Sequence, residues 1–199
     1  MAMKTNWKNR IPLVALVTAA LSASAFGLQT KIGDKVPSFS VTSMGGKQLF
    51  LKDMQTGGPI FIYFMRDGDS VSQQDTTYVN SIIRAYGASR VTWYGVVNAR
   101  EDRARSFQAE ANPAFQLERD ENLAAVKAFS LTNAPAVFEI SRRGTLMNSW
   151  LGYSATNLKA INAEVARVSR RHLEMLDFSG APSTAQFGSN YSAVTGSSG

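Results

Sequence analysis

The chain of 199 residues contains no cysteine and only one histidine, His172. Because the thiolate is the reactive species in cysteine chemistry, this absence excludes every thiol mechanism that relies on this chain alone. Disulfide bonds are excluded as well, so the hydrophobic core must stabilise the fold without them. The histidine lies beside Arg170 and Arg171, which favours a solvated side chain over a partner that activates a serine.

Long apolar runs and clusters of one charge are also missing. The apolar run at residues 11–21 is too short to span a bilayer comfortably, and no later stretch has the length and apolarity of a membrane helix. The net charge is +6, but the lysines and arginines are scattered along the chain. A diffuse charge of this size predicts a solvated surface, so we expect no nucleic-acid partner.

A calcium site is the metal site that the acidic residues suggest, and their spacing argues against it. Asp67, Asp69 and Asp75 lie close together in the sequence. An EF-hand loop that begins at Asp67 needs glycine at its sixth position and glutamate at its twelfth, where this chain has Ser72 and Tyr78. We therefore expect no metal and no cofactor.

The first 25 residues have the three regions of a secretory signal peptide. A basic start precedes the apolar run at 11–21, and small residues with an A-x-A pattern follow it. The basic residues are Lys4, Lys8 and Arg10, and the small ones are Ala23, Ser24 and Ala25. We expect cleavage before Phe26, export to the periplasm or the extracellular space, and no membrane span after removal of the signal. An uncleaved N-terminal anchor is the alternative.

The rest of the chain alternates strand-like and helix-like patterns. Short strands around Gly45 and Gly46 predict an N-terminal β-hairpin. The continuously apolar residues 60–65 predict a central strand buried on both faces. Asp69 or Ser70 is the expected N-cap of the helix that follows. Further strands are predicted at 90–97, 115–117, 136–140 and 145–150, and helices at 71–86, 101–111, 123–129 and from 155 onward. This order predicts an α/β fold with a largely parallel sheet and helices on both faces.

The C-terminal residues 177–199 have the composition of a flexible tail rich in glycine and serine. From Gly180 onward small and polar residues dominate, and such a segment buries too little surface to offset its ordering entropy. Phe187 and Tyr191 interrupt it and are candidate anchor points for a partner. The predicted organisation is a signal peptide at 1–25, one domain at 26–176, and the tail.

Five segments, in order, resemble the redoxin and AhpC/TSA (alkyl hydroperoxide reductase/thiol-specific antioxidant, or peroxiredoxin-like) family. They are Gly-Asp-Lys-Val-Pro-Ser-Phe at 33–39, Phe-Ile-Tyr-Phe at 61–64, Phe-Gln-Leu at 115–117 with the helix through 129, Ala-Pro-Ala-Val-Phe-Glu-Ile at 134–140, and Arg-Arg-Gly at 142–144. The resemblance implies a thioredoxin-like three-layer sandwich, with a central mixed sheet and helices on both faces. It also implies that Pro135 is a cis-proline facing the active-site turn.

The family's chemistry does not carry over, because Asp69 and Ser72 stand where the resemblance places the catalytic cysteines. A serine hydroxyl is far less acidic than a thiol and forms neither a sulfenic acid nor a disulfide. Asp69 and Ser70 are interpreted either as a helix cap or as part of a remodelled site for a polar or cationic ligand. No residue is therefore assigned a catalytic role.

The groove beside Pro135 remains a candidate site that needs no cysteine. The resemblance implies that backbone before the cis-proline pairs with an extended segment of a partner. Asn133, Ala134 and Pro135 would form this groove, with Asp69 and Ser70 beside it. The alternative is a vestigial groove that binds nothing.

The sequence therefore predicts an exported, cysteine-less pseudoenzyme: a non-enzymatic binding or scaffold domain for an extended peptide or protein partner. Two alternatives remain open. One is the family's oxidoreductase or peroxidase role with thiols supplied by a partner. The other is an enzyme with non-thiol chemistry at the turn from Asp69 to Ser72.

Overall fold

A computed structural model describes residues 30–55, 57–87 and 90–191. The predicted signal peptide lies outside them. Strands and helices alternate in the order β1 (Ser40–Ser43), β2 (Gln48–Phe50), α1 (Leu51–Met54), β3 (Ile60–Met65), α2 (Ser70–Tyr86), β4 (Thr92–Val97), α3 (Glu101–Ala111), β5 (Gln116–Arg119), α4 (Ala124–Ala128), β6 (Ala136–Ile140), β7 (Leu146–Leu151) and α5 (Ala155–Ser169). Within the described ranges, no helix has both the length and the apolarity needed to cross a membrane.

One mixed sheet of seven strands organises the fold, in the order β2-β1-β5-β4-β3-β6-β7. Strands β3, β4 and β5 run parallel to one another. The remaining pairings, including the N-terminal hairpin of β1 and β2, are antiparallel. The mixed sheet that the resemblance implies and the hairpin are both confirmed. The largely parallel sheet predicted from the order of elements is wrong, because antiparallel pairings outnumber parallel ones among the described strands.

Helices cover both faces of the sheet, and β3 (Ile60–Met65) shows how. Successive side chains of a strand point to opposite faces. The odd-numbered residues of β3 pack in a core cluster with α2, α3 and α5, whereas the even-numbered ones pack in a second cluster with α1 and α4. Every residue of β3 is buried, as expected for a central strand. The result is the three-layer sandwich predicted from the sequence.

Strand β5 lies slightly later than predicted, at Gln116–Arg119 instead of 115–117. The Phe115 ring packs edge-on against Tyr63 instead of continuing the strand, and it fills the space that a side chain on Gly95 would need. The strand continues through the charged residues Glu118 and Arg119, which are both buried. Apolar periodicity alone did not reveal this extension, because charged side chains seldom occupy buried strand positions.

The segment predicted as a flexible tail makes contacts with the domain as far as residue 191. Phe178 and Tyr191 are buried, and residues 182–191 run along the start of α5 and the chain before β6. We call residues 182–191 the C-terminal strap. Its composition is poor in apolar residues, as noted from the sequence, but backbone hydrogen bonds and the buried Tyr191 ring hold it. Residues 192–199 lie outside the described ranges.

Candidate functional site

The turn between β3 and α2 holds Asp69 and Ser72. Asp69 is the N-cap residue of α2, and its Oδ2 accepts hydrogen bonds from the backbone N–H of Ser72 at 2.8 Å and from the Ser72 hydroxyl at 2.7 Å. The Ser72 Oγ accepts in turn from the N–H of Arg66 at 3.2 Å. Ser72 is fully buried and Asp69 nearly so, whereas Ser70 is exposed. The interpretation of Asp69 as a helix cap is confirmed. The Ser72 hydroxyl serves the same local network.

The second predicted part of the site is the backbone around Pro135. The Ala134–Pro135 peptide bond is cis, as the resemblance implies. Ala134 is fully buried, and β6 begins directly after Pro135. The hydrogen-bonding groups that this segment offers are the carbonyl oxygens of Thr132 and Ala134 and the side-chain amide of Asn133. We call residues 132–135 and the facing Asp69 the cis-Pro groove.

The cis-Pro groove is occupied by the C-terminal strap. The N–H of Gly188 donates to the Ala134 carbonyl at 2.8 Å, and the N–H of Tyr191 donates to the Thr132 carbonyl at 2.9 Å. The Asn133 Nδ2 donates to the Gly188 carbonyl at 2.8 Å. Asn133 and Asn190 face each other as an antiparallel pair. The strap therefore adds an extended segment to this backbone in the manner of a β-strand ligand.

A second set of backbone contacts fixes the first half of the strap. Tyr153 and Gln186 exchange both of their backbone hydrogen bonds, at 2.8 and 2.9 Å. The Pro182 carbonyl accepts from the N–H of Ala155 at 2.8 Å, at the first turn of α5. The Phe187 ring lies against Gly152, where a side chain would overlap it. Two separate stretches of the domain thus hold the strap.

The two predicted parts of the site meet at Gly188. Its N–H bonds the Ala134 carbonyl, while its Cα lies so close to Asp69 that a Cβ at this position would overlap both carboxylate oxygens. The structure therefore brings Asp69, Asn133 and Ala134 together around one residue of the strap. Ser72 lies beneath Asp69, to which its hydroxyl donates, and Ser70 is exposed to solvent.

Tyr191 fills the end of the groove and was not assigned there from the sequence. Its side chain is only 2% exposed, and its hydroxyl donates to the carbonyl of Met65, the last residue of β3, at 3.1 Å. Burial raises the pKa of Tyr191 far above its usual range, with the nearby carboxylates of Asp120 and Asp69 acting in the same direction and Arg66 opposing them. The phenol is therefore neutral and serves as a hydrogen-bond donor. A lone tyrosine in a glycine/serine-rich tail was the signal for this contact.

The three carboxylates considered for a metal have separate surroundings. Asp67 forms an ion pair with Arg103 at 3.1 Å, and Asp69 caps α2. Asp75 lies in the core, where burial raises its pKa to about 7 and a hydrogen bond from Tyr63 opposes that shift. Within the part of the chain that the structure describes, no group of three metal-ligating side chains occurs.

Comparison with solved structures places the fold among thioredoxin-like proteins. A protein described as a thiol:disulfide interchange protein DsbE from Chlorobium tepidum is 20% identical, with a TM-score of 0.63 over 70% of this chain and 98% of that one. A thiol:disulfide interchange protein from Bacteroides sp. is 17% identical, with a TM-score of 0.60 over 73% and 94%. The bacterioferritin comigratory protein of Xanthomonas campestris is 19% identical, with a TM-score of 0.58 over 71% and 98%. Identities this low show the shared fold alone.

The sequence itself identifies the family. No curated protein sequence matches this chain. The model of the AhpC/TSA family, however, matches residues 32–149, which is more than half of the chain. The matched range runs from before the first hairpin into β7, includes the turn at Asp69 and the cis-proline, and ends before α5 and the C-terminal strap. This chain belongs to the AhpC/TSA family.

Proposed function

We propose that this chain is an exported, non-enzymatic binding domain that holds an extended polypeptide segment of a partner in the cis-Pro groove. The observation that carries the proposal is the pairing of the C-terminal strap with residues 132–134. A groove that orders one extended segment through backbone hydrogen bonds offers the same bonds to another.

The side chains at the turn from Asp69 to Ser72, where the resemblance places the family's cysteines, support a binding role over a chemical one. Ser72 is fully buried, and its hydroxyl donates to Asp69. A nucleophile needs a neighbouring base and access to substrate, and Ser72 has no access. Asp69 faces Gly188 and its carboxylate is engaged in capping. Both side chains therefore shape the groove.

Export is the second part of the proposal and rests on the N-terminal sequence. The basic start, the short apolar run and the small residues before Phe26 have the order of a cleavable signal peptide. A partner is therefore expected in the periplasm or the extracellular space. The absence of cysteine from the chain removes any dependence of the fold on the redox state of that compartment.

Site-specific photo-crosslinking in cells of the native host tests the binding role. A photo-reactive residue replaces Ser70, which is exposed beside Asp69. The matched control replaces Ser81, an exposed serine on the same helix about 16 Å further along its axis. We expect a discrete polypeptide partner from position 70 and none from position 81. Identical patterns from both positions, or no crosslinked polypeptide from position 70, would contradict a binding role for this groove.

A substitution in the groove sharpens that experiment. Asn133→Ala removes the side-chain amide that donates to the carbonyl of the bound segment. We expect it to reduce the crosslinked partner several-fold, since one hydrogen bond contributes about 0.5–1.5 kcal/mol. Exposed Asn122, which lies outside the groove, provides the matched control as Asn122→Ala.

A further inference from the structure

We infer that the C-terminal strap is an internal competitor for the cis-Pro groove, and that the groove selects polypeptide segments in which glycine is followed three residues later by tyrosine. The inference rests on the proposed function and names its ligand class and its regulation. We take the strap as the pattern for such a ligand. Gly188 and Tyr191 are the two positions at which the groove distinguishes one residue type from another.

Gly188 defines the first position by exclusion. A Cβ there would overlap both carboxylate oxygens of Asp69. Asp69 cannot move aside readily, because its carboxylate is fixed by two hydrogen bonds from Ser72 at the N-terminus of α2. Any residue with a side chain would also separate its own N–H from the Ala134 carbonyl. The groove therefore admits glycine at this point and rejects larger residues.

Tyr191 defines the second position by a filled pocket and one specific bond. Its ring packs in the core cluster on the sheet face that carries α1 and α4. Its hydroxyl donates to the carbonyl of Met65. A phenylalanine would fill the same space and leave that carbonyl without its donor. A buried polar group that loses its partner carries the full desolvation cost, so the pocket distinguishes tyrosine from phenylalanine.

The first half of the strap is held by backbone hydrogen bonds of Pro182 and Gln186 and by the Phe187 ring against Gly152. Within residues 182–191, Tyr191 is the only buried residue, and the side chains from 183 to 187 are exposed. The strap therefore buries little apolar surface, and segments of this kind open at low free energy. A competing segment with the same two selective residues can replace it without disturbing the two core clusters.

Because the strap is tethered to the domain and competes for the cis-Pro groove, it weakens the binding of an external peptide there. A short tether gives the strap an effective concentration on the order of millimolar at the groove. The apparent affinity for an external segment falls by the fraction of molecules whose groove is open. Weakening the strap should therefore strengthen the binding of an external peptide, a direction opposite to that of ordinary damage to the fold.

A fluorescent peptide with the sequence of residues 182–191 tests this by anisotropy on the full chain. The opened variant is Gly188→Val, and the control is Ser189→Val, which adds a similar side chain at the exposed neighbouring position. We expect the peptide to bind Gly188→Val at least tenfold more tightly than the wild type or Ser189→Val. A peptide with valine for the glycine should lose at least tenfold in affinity, and one with phenylalanine for the tyrosine should lose about five- to tenfold. Equal binding to all three proteins, or equal binding of all three peptides, would overturn the inference.

A reversible lock provides a second test that does not rely on a destabilising side chain. The double variant Asn133→Cys/Asn190→Cys places two thiols on facing residues of an antiparallel pair, about 4.5–5.5 Å apart at Cα, which a disulfide can span. No other cysteine is present to interfere. We expect the reduced protein to bind the peptide with the several-fold deficit of Asn133→Ala, and the oxidised protein to bind it at least tenfold more weakly than the reduced one. Binding that is unchanged by oxidation would contradict competition for one groove.

Different results would contradict the proposed partner function and the inference about the strap. Peptide binding that follows the glycine and tyrosine rule, without any crosslinked partner from position 70, supports the strap inference and contradicts the partner function. Crosslinked partners that bind equally to the locked and the unlocked protein support a binding role but overturn the inference, because the strap then does not compete.

Discussion

Asp69 and Ser72 stand where the family resemblance places cysteines, and each makes hydrogen bonds that a thiol makes poorly. The Asp69 carboxylate accepts two donors from Ser72, and the Ser72 hydroxyl both donates and accepts. A thiol is a weak donor and a weak acceptor. Hydrogen bonds between oxygen and nitrogen atoms therefore hold this turn in this chain.

Removal of the Ser72 hydroxyl should destabilise the whole domain. Ser72→Ala leaves the N–H of Arg66 without its acceptor and takes one donor from Asp69, both next to a fully buried position. We expect the free energy of unfolding to fall by about 1–2 kcal/mol, measured by urea denaturation. Ser70→Ala, at the exposed neighbouring position, should change it by less than about 0.5 kcal/mol. Equal effects of the two substitutions would mean that the cap does not depend on this hydroxyl.

Removal of the Tyr191 hydroxyl should loosen the strap without affecting the rest of the domain. Tyr191→Phe leaves the Met65 carbonyl without its donor. The opening equilibrium of the strap should rise about five- to tenfold, which corresponds to about 1 kcal/mol. Hydrogen exchange measures this directly, because the amides of Gly188 and Tyr191 donate to the groove. The amide of Leu158 in α5 is the internal control, and faster exchange there would show global destabilisation instead.

Among the elements, those with a strong period were predicted well and those that depend on tertiary contacts were not. The buried strand at Ile60–Met65 and the helix at Glu101–Ala111 were predicted with their observed bounds. Strand β5 was missed in part, because buried Glu118 and Arg119 conceal its apolar pattern. The strap was missed as an element, since its order comes from backbone bonds to Tyr153 and residues 132–134 that local composition does not encode.

Helix α2 carries an acid whose burial makes stability depend on pH. Asp75 has an unfolded-state pKa near 3.8 and a folded-state pKa raised to about 7. Between these values the folded chain holds a proton that the unfolded chain has lost. The contribution of Asp75 is therefore fully present below about pH 4 and is lost as the pH rises to about 7, at roughly 1.4 kcal/mol per pH unit at most.

Urea unfolding at several pH values tests this dependence on Asp75→Asn. The variant should show a shallower loss of stability between pH 5 and pH 7 than the wild type and should be the more stable of the two at pH 8. The free energy of unfolding of the variant should still fall somewhat as the pH rises, because burial also raises the pKa values of Glu118 and Glu139 to about 7. Parallel pH profiles for the two proteins would show that Asp75 does not titrate in this range.

On the scale of the whole molecule, the candidate site joins a family domain to a segment outside the matched range. The family match ends at residue 149, whereas the strap that fills the cis-Pro groove begins at residue 182. The groove was predictable from the segments that resemble the family. Its occupant was not, because no feature of the Gly/Ser-rich tail specifies where Gly188 docks. The combination is a family scaffold whose cis-Pro groove holds a C-terminal segment of the same chain.

The proposed export would determine where the proposed partner meets that groove, and it has a direct test. Intact-mass analysis of the protein from the native host should find a chain that begins at Phe26, since Ala23, Ser24 and Ala25 provide the small residues that signal peptidase requires. Ala25→Arg should block cleavage and leave the longer precursor associated with membranes, whereas Gln29→Arg, beyond the cleavage site, should be processed normally. A wild-type protein that keeps residues 1–25 in the membrane fraction would instead establish an uncleaved N-terminal anchor, and the partner would then lie at the membrane surface.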